Sequence, residues 1–344
     1  MTYGILMNPV HRRMYKDGAG RMALGEIAGV FAHVEHPREC IIGGVPYILF
    51  DCAAPLTPEE IRTLSRLSFG YALFACQDGS GTDSPSFLPL EKNPGYLLDE
   101  SLSSMLKYTV KTNELFTRLM LLLVIHTEAK ESPLNILDPL AGKGTTLFEA
   151  LLHGHNAYGI EIDPKTPLEA DQYLKRFLEL ARIKHTTHKE KSSGTAPTGD
   201  KFTATRHQIT FAQDKEAQRT GNTRQFEIIC GDTRNTSHYY KKDFFHALIA
   251  DLPYGVQHAS KDKKKPHGSG FTRNAMGLLK EALPGWLRVL KPGGKIVLAW
   301  NLFLIPRDEM ENLFTQHGLT VQNLPDFTHR VDQAIERDVI VGQK

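Results

Sequence analysis

The chain has 344 residues, 41% of them apolar and 23% charged, with a formal net charge of +2. That is the make-up of a soluble globular protein with room for two domains, and any nucleic-acid-binding surface has to be local rather than global. The longest apolar run, at 119–125, is far short of a membrane span; the N-terminus lacks a signal-peptide core; and the four cysteines form no CxxC, which reads as a cytoplasmic protein with reduced thiols.

From the N-terminus, residues 2–8 read as a strand and 21–33 as a helix with Met22, Ile27, Val30 and Phe31 on one side. Two strands, 39–42 and 45–51, meet across Gly43-Gly44, a hairpin signal. Thr57-Pro58 with Glu60 is a capping box and opens a helix to about residue 67; residues 69–76 form a last strand. The order β-α-β-β-α-β predicts a ferredoxin-like accessory domain over 1–76. Residues 77–104 read as a linker, with Gly, Ser, Pro and Asp concentrated in 77–95 and a short helix starting at Ser101. Residues 105–344 form the second domain, which opens with a long helix from about 113 to 129, capped by Thr112 or Asn113.

The stretch NILDPLAGKGTT, 135–146, organises this second domain. A short buried strand ends at Asp138-Pro139, Gly142 and Gly144 make a tight turn, and a helix runs from Thr145 to Leu152. A P-loop is ruled out, because Lys143 is followed by Gly144 rather than Ser or Thr. A dinucleotide fingerprint would want a further Gly near 147, where Leu stands. An acid at the strand end suits a cationic ligand, and S-adenosylmethionine carries an ammonium and a sulfonium without phosphate. Glu161 ends the next apolar run, 23 residues after Asp138, near the ~20 residues at which an acid reaches a ribose in such folds.

After a helix at 168–183 the apolar pattern stops. Residues 184–225 read as a polar, basic insertion: from Arg182 to Gln225 nine Lys or Arg stand against four Asp or Glu, a local net of +5. A solvated flexible loop and an RNA-contacting insertion are both open readings. A third parallel strand, 226–232, ends in Asp232, placed for the adenine or ribose of a cofactor, and a fourth, 245–250, runs into Asp251-Leu252-Pro253-Tyr254. A second basic loop, 256–268, holds Lys261, Lys263, Lys264 and Lys265. A helix at 276–290, a LKPGGK turn, a strand at 296–300 and two strand-like runs in 319–343 complete the chain. Alternating strands and helices predict a mostly parallel sheet with ligands at the strand carboxyl ends.

Asp251 to Tyr254 carries chemistry. An exocyclic base amine is a weak nucleophile because its lone pair is delocalised into the ring. Two acceptors aimed at its hydrogens localise that pair: here the Asp251 carboxylate and the Leu252 carbonyl, in a turn fixed by Pro253. Asp251 can also take the proton, and Tyr254 offers a ring for a flipped base. None of the fifteen histidines pairs with Cys or Asp at ligand spacing, so no metal is expected.

DPLAGKGTT resembles the DPFxGxGT motif of Rossmann-fold methyltransferases that act on amino groups, and DLPYGV resembles their (D/N/S)PP(Y/F) motif. KYTVKTNELFTRLM together with PYGV is similar to the tRNA guanosine-N2 methyltransferases of the D-stem type. The resemblance covers about residues 105–300. It implies a class I methyltransferase fold, seven-stranded and mostly parallel, using S-adenosyl-L-methionine on the N2 of a guanosine in RNA, tRNA above all. It also implies site roles. Asp138, Pro139, Gly142, Gly144, Thr145, Ile162, Thr233 and Asp251 would line the cofactor pocket, with Glu161 on the ribose and Asp232 at the adenine end. Thr112, in the KYTVKTN segment, would close over the methionine part, and Asp251, Leu252, Pro253 and Tyr254 would hold the target base. The sequence departs from the pattern at Ala141, Lys143 and Leu252, and shows no THUMP domain beyond its ferredoxin-like part. Leu252 in place of the first Pro leans toward guanine over adenine. The other readings are an adenine-N6 methyltransferase on DNA or rRNA and a non-catalytic cofactor-binding RNA adaptor. A small activating subunit and the oligomeric state are left open.

Overall fold

A computed structural model describes residues 1–15, 18–77, 86–104, 113–125, 133–195, 199, 201–254 and 275–344. They form two compact units, Met1–Gly95 with Asn323–Asp338, and Tyr96–Gln322 with Val339–Lys344.

The first unit runs β1 (Thr2–Met7), α1 (Pro9–Tyr15), α2 (Ala19–Val30), β2 (Glu35–Ile42), β3 (Val45–Asp51), α3 (Pro58–Ser65), β4 (Gly70–Gln77) and β5 (Ser86–Leu90). Its five-stranded sheet has the order β2-β3-β1-β4-β5, every pairing antiparallel. The first four strands reproduce the split βαβ order. The capping box at α3 is formed: the Thr57 hydroxyl accepts from the Glu60 N–H at 3.3 Å while Glu60 Oε2 accepts from the Thr57 N–H at 2.7 Å. The stretch read as a linker carries β5, which extends this sheet, and the unit reaches Gly95. Pro89 inside it and the Gly, Ser and Asp residues just before it made the run read as a loop, whereas an edge strand tolerates a proline; Leu88 is exposed. The unit also takes in β14 (His329–Arg330), from a segment expected to belong to the second domain.

The second unit comprises α4 (Ser101–Ser104), α5 (Glu114–Ile125), β6 (Asn135–Asp138), α6 (Thr145–Leu152), β7 (Asn156–Glu161), α7 (Thr166–Leu180), β8 (His185–Thr195), β9 (Lys201–Phe211), α8 (Lys215–Arg219) and β10 (Arg224–Cys230). It continues through α9 (Thr236–Tyr239), β11 (Phe245–Asp251), α10 (Ala275–Val289), β12 (Leu290–Asn301), α11 (Arg307–Gln316), β13 (Thr320–Val321) and most of β15 (Glu336–Gln343). The sheet order is β13-β15-β12-β11-β6-β7-β10-β9-β8. The pairs from β12 through β11, β6 and β7 to β10 are parallel. This is the class I, Rossmann-like order, and chain direction across the sheet reverses between β6 and β11, the switch point where such sheets bind ligands. The core strands are apolar on both faces because helices cover both, and they read in sequence as unbroken apolar runs. Asn113 caps α5, its Oδ1 accepting from the Leu115 N–H at 2.8 Å.

The insertion at 184–225 is not a structureless loop. β8 and β9 form an antiparallel hairpin that continues the sheet beyond β10, in register from His185↔Phe211 to Thr195↔Lys201. β9 buries Ala204, His207, Ile209 and Phe211, whereas β8 is an exposed edge rich in Thr, Ser and Lys. An edge strand that buries almost nothing leaves no apolar period to read, although its Thr content favours extended backbone. α11 also escaped the sequence reading, since only Met310, Leu313 and Phe314 of its ten residues are buried. The second basic loop, 256–268, lies outside the described residues.

Candidate active site

Three carboxylates end three neighbouring parallel strands: Asp138 on β6, Glu161 on β7 and Asp251 on β11. β6 brings its acid to the edge through a buried strand of four residues, after which Pro139 and the glycine turn carry the chain into α6. Gly144, at φ +88°, caps the N-terminus of α6 in the left-handed region that glycine enters without cost. The turn is held by Ala141 N–H donating to the Ile160 carbonyl at 2.9 Å and Gly144 N–H to the Ala141 carbonyl at 2.8 Å.

Asp138 is buried and accepts from the Leu140 N–H at 2.9 Å and from the Thr146 hydroxyl. Burial pushes its carboxyl up to about 7, against those hydrogen bonds, and the charges of Asp251 and Glu161 add to the rise. Glu161 lies at the turn: Oε2 accepts from the Gly142 N–H at 3.0 Å and Oε1 from the Asp163 N–H at 2.8 Å. Burial raises its pKa as well. A pair of raised acids at a switch point is a site that wants a cation. A Cβ built on Gly142 would meet nothing within 4 Å, so the turn opens onto free space beside them. Thr145 is buried at the first turn of α6, and Ile162 is 59% exposed directly after Glu161.

Asp251 lies across the switch point from Asp138, and Leu252 N–H donates to the Ala299 carbonyl at 2.8 Å, which fixes the strand end. Among the described residues no donor reaches the Leu252 carbonyl. The Tyr254 hydroxyl donates to Asp251 Oδ1. Asp232, one residue beyond Gly231 at the end of β10, is engaged by Arg234 Nε at 3.0 Å to both carboxylate oxygens, and Arg234 also reaches Glu281 at 2.9 Å. Thr233 is buried and accepts from Trp286 Nε1 at 2.9 Å. Thus Asp138, Glu161 and Asp251 come together at the switch point, whereas Asp232 and Thr233 sit one strand further along in structural bonds of their own. Thr112 lies outside the described residues. Arg234 carried no motif in the sequence. The same holds for the buried pair of Arg118 Nε with Glu149 Oε2 at 3.1 Å, which ties α5 to α6 behind the glycine turn. Only the spacing of a lone acid and a lone base on two apolar helices hinted at it. Among the described residues no group of three or more His, Cys, Asp or Glu could hold a metal ion. No helix of the described residues is long and apolar enough to cross a membrane.

The family model described as RMKL-like, methyltransferase domain matches residues 113–299, more than half of the chain. The chain belongs to this RMKL-like methyltransferase family. It is a class I methyltransferase, and its methyl donor is S-adenosyl-L-methionine. The site fits that donor: the acidic strand ends suit its ammonium and sulfonium, and the open glycine turn leaves its backbone accessible to it. No curated protein matches the sequence. The chain is similar in structure to an rRNA methylase from Streptococcus thermophilus, at 16% identity over 69% of this chain and 99% of that one, with a TM-score of 0.36. It is also similar to a TehB-like SAM-dependent methyltransferase from Corynebacterium glutamicum, at 16% identity over 63% of this chain and 84% of that one, with a TM-score of 0.34.

Proposed function

We propose that this RMKL-like methyltransferase methylates the exocyclic N2 of a guanosine in RNA, with tRNA as the substrate. The observation that carries the reading is Asp251-Leu252-Pro253-Tyr254 at the end of β11, directly across the switch point from Asp138. Bound S-adenosylmethionine supplies a methyl on a cationic sulfur. Asp138 would hold its cationic end, with Pro139, Gly142, Gly144 and Thr145 forming the wall, Glu161 and Ile162 on the ribose side and Asp232 and Thr233 toward the adenine. Thr112 would close over the methionine part. Asp251 and the Leu252 carbonyl accept from the two hydrogens of the base amine, which localises its lone pair, and Asp251 takes the proton released. The Tyr254 hydroxyl donates to the Asp251 carboxylate that would receive the base amine. A base that binds there takes over that bond and leaves the ring of Tyr254 to stack. The ferredoxin-like unit would serve as the accessory RNA holder.

The test is to incubate the protein with labelled S-adenosylmethionine and total tRNA or rRNA, and then to digest the RNA to nucleosides. Label in N2-methylguanosine from tRNA supports the proposal. Label in N6-methyladenosine replaces it with the adenine reading. No label in any nucleoside, with biological activity kept in an Asp251→Ala strain, replaces it with the adaptor reading.

A further inference from the structure

The β8–β9 hairpin has a position that its composition did not announce. Cross-strand pairing sets Glu161 opposite Cys230, Cys230 opposite Thr205, and Thr205 opposite Lys191. Lys191 therefore lies in the row of Glu161, three strands away, or about 14 Å at ordinary strand spacing. By the same pairing Lys189 lies in the row of Asp138, through Gly159, Ile228 and His207. β10 ends at Cys230, while β9 begins four residues earlier in its own register, at Lys201, so the hairpin overhangs the carboxyl edge where the site lies. That overhang is on the order of 13 Å.

Alternation puts Lys189, Lys191, Ser193 and Thr195 on one face of β8, and Lys201 joins that face opposite Thr195. All three lysines are exposed, and none has a carboxylate partner among the described residues. Glu190, the acid of β8, points to the other face, opposite Arg206. Lys189 and Lys191 are about 6.6 Å apart along the strand, a step comparable with that between successive phosphates of one nucleic-acid strand. β8 carries no large apolar side chain, so it offers a protein partner no anchor to bury.

We propose that this face of the hairpin is a phosphate-binding arm that holds the backbone of the substrate RNA, a few nucleotides from the base in the site, without reading its sequence. The proposal rests on the RNA reading above and goes beyond it by assigning where the backbone runs. Amines matched to phosphates release counterions, so the arm has a salt signature.

The test measures binding of an unmodified tRNA transcript to the full chain at several KCl concentrations, for wild type and for Lys189→Gln/Lys191→Gln/Lys201→Gln. The expected result is a Kd raised about tenfold or more at low salt, and a log Kd against log salt slope reduced by about 2–3. Donor binding and melting temperature stay unchanged, because all three side chains lie on an exposed edge. The triple Arg variant keeps wild-type affinity, and Glu190→Gln, on the opposite face, does not weaken binding. A triple Gln variant with the wild-type Kd and slope, in a protein that still methylates RNA, overturns the arm alone. A wild-type protein that neither binds nor methylates RNA overturns the substrate reading and the arm with it. A self-association through the β8 edge that Pro substitution abolishes, with RNA affinity untouched, also overturns it.

Discussion

At the scale of single residues the site depends on where two aspartates stand. In the proposed reaction Asp251 holds the base amine and accepts its proton, so Asp251→Ala should lower the methyl-transfer rate by about 10²–10⁴-fold while the Kd for S-adenosylmethionine changes only a few-fold. Single-turnover kinetics and isothermal titration separate the two effects, and abolished donor binding would contradict the role. Asp138 is different, since burial raises its carboxyl to about 7 from an ordinary value of 3.8. An acid whose folded pKa is raised adds no penalty to folding below about 3.8. The penalty builds as pH rises through the window and is complete above about 7. Asp138→Asn should therefore melt higher than wild type at pH 8, with the gap shrinking toward pH 5. The carboxylate form is the one that attracts the cationic donor, so wild-type affinity should tighten from pH 5.5 to 7.5, whereas the Asn variant binds weakly at every pH. Titrations of the donor across that range check both. The strand-end places of Asp138 and Asp251 were legible in the sequence, because an acid closing an apolar run before a glycine turn, or before a DLPY tetrapeptide, is a local pattern. Arg234 was not, because it works by pairing with Asp232, two residues away, and at the same time with Glu281, which only folding brings to it.

At the scale of elements the glycine turn works because β7 passes close behind it. A Cβ on Gly159 would stand 2.8 Å from both Ala141 Cβ and Leu147 Cδ1, so no side chain fits between strand, turn and helix. Gly159→Ala should push the turn away from Glu161, cost about 1–3 kcal/mol of stability and weaken donor binding. Chemical denaturation and titration of the same variant measure both effects, and unchanged donor affinity would show that the turn has another way to relax. The elements with a strong local signature were visible in the chain: α6, the capped α3, the hairpin across Gly43-Gly44, and the apolar strands of the parallel core. β8 and β9 were not visible. The strand character of β9 comes from its pairing to β10 and that of β8 from its pairing to β9, and β8, which pairs on one side and exposes both faces, has no period for a reader to find.

At the scale of the whole molecule the two compact units are not contiguous in sequence, since Asn323–Asp338 belongs with Met1–Gly95. Phe327 is buried there, and a side chain on Gly25 would stand 3.0 Å from its ring. A fragment of residues 96–344 therefore carries an uncovered Phe327 and should aggregate. The same fragment with 323–338 replaced by a Gly/Ser linker should stay monomeric and bind the donor. Size-exclusion chromatography and donor titration of the two fragments decide this. The first unit also buries His11 and His329, and burial lowers their pKa values to about 3 and about 4. A histidine held neutral contributes fully above its ordinary 6.5, and that contribution is lost as pH falls from there toward 4. Acidification should thus lower the melting temperature of the first unit, in a window where protonation of Asp138 relieves the second. Calorimetry at pH 7.5 and pH 5 should show the two transitions shift in opposite directions.

The sequence by itself determined what is encoded over a dozen residues. Turn glycines, a strand-end acid, the DLPY tetrapeptide and alternating apolar runs were enough for the class I fold, its cofactor and the order of the first four strands. The tertiary structure alone decided which distant segments share a sheet or a unit. The hairpin overhang beside the site, the transfer of Asn323–Asp338 to the first unit and the raised carboxyl of Asp138 all arise this way. Each depends on pairing or desolvation between residues far apart in the chain, and such contacts leave no local pattern behind.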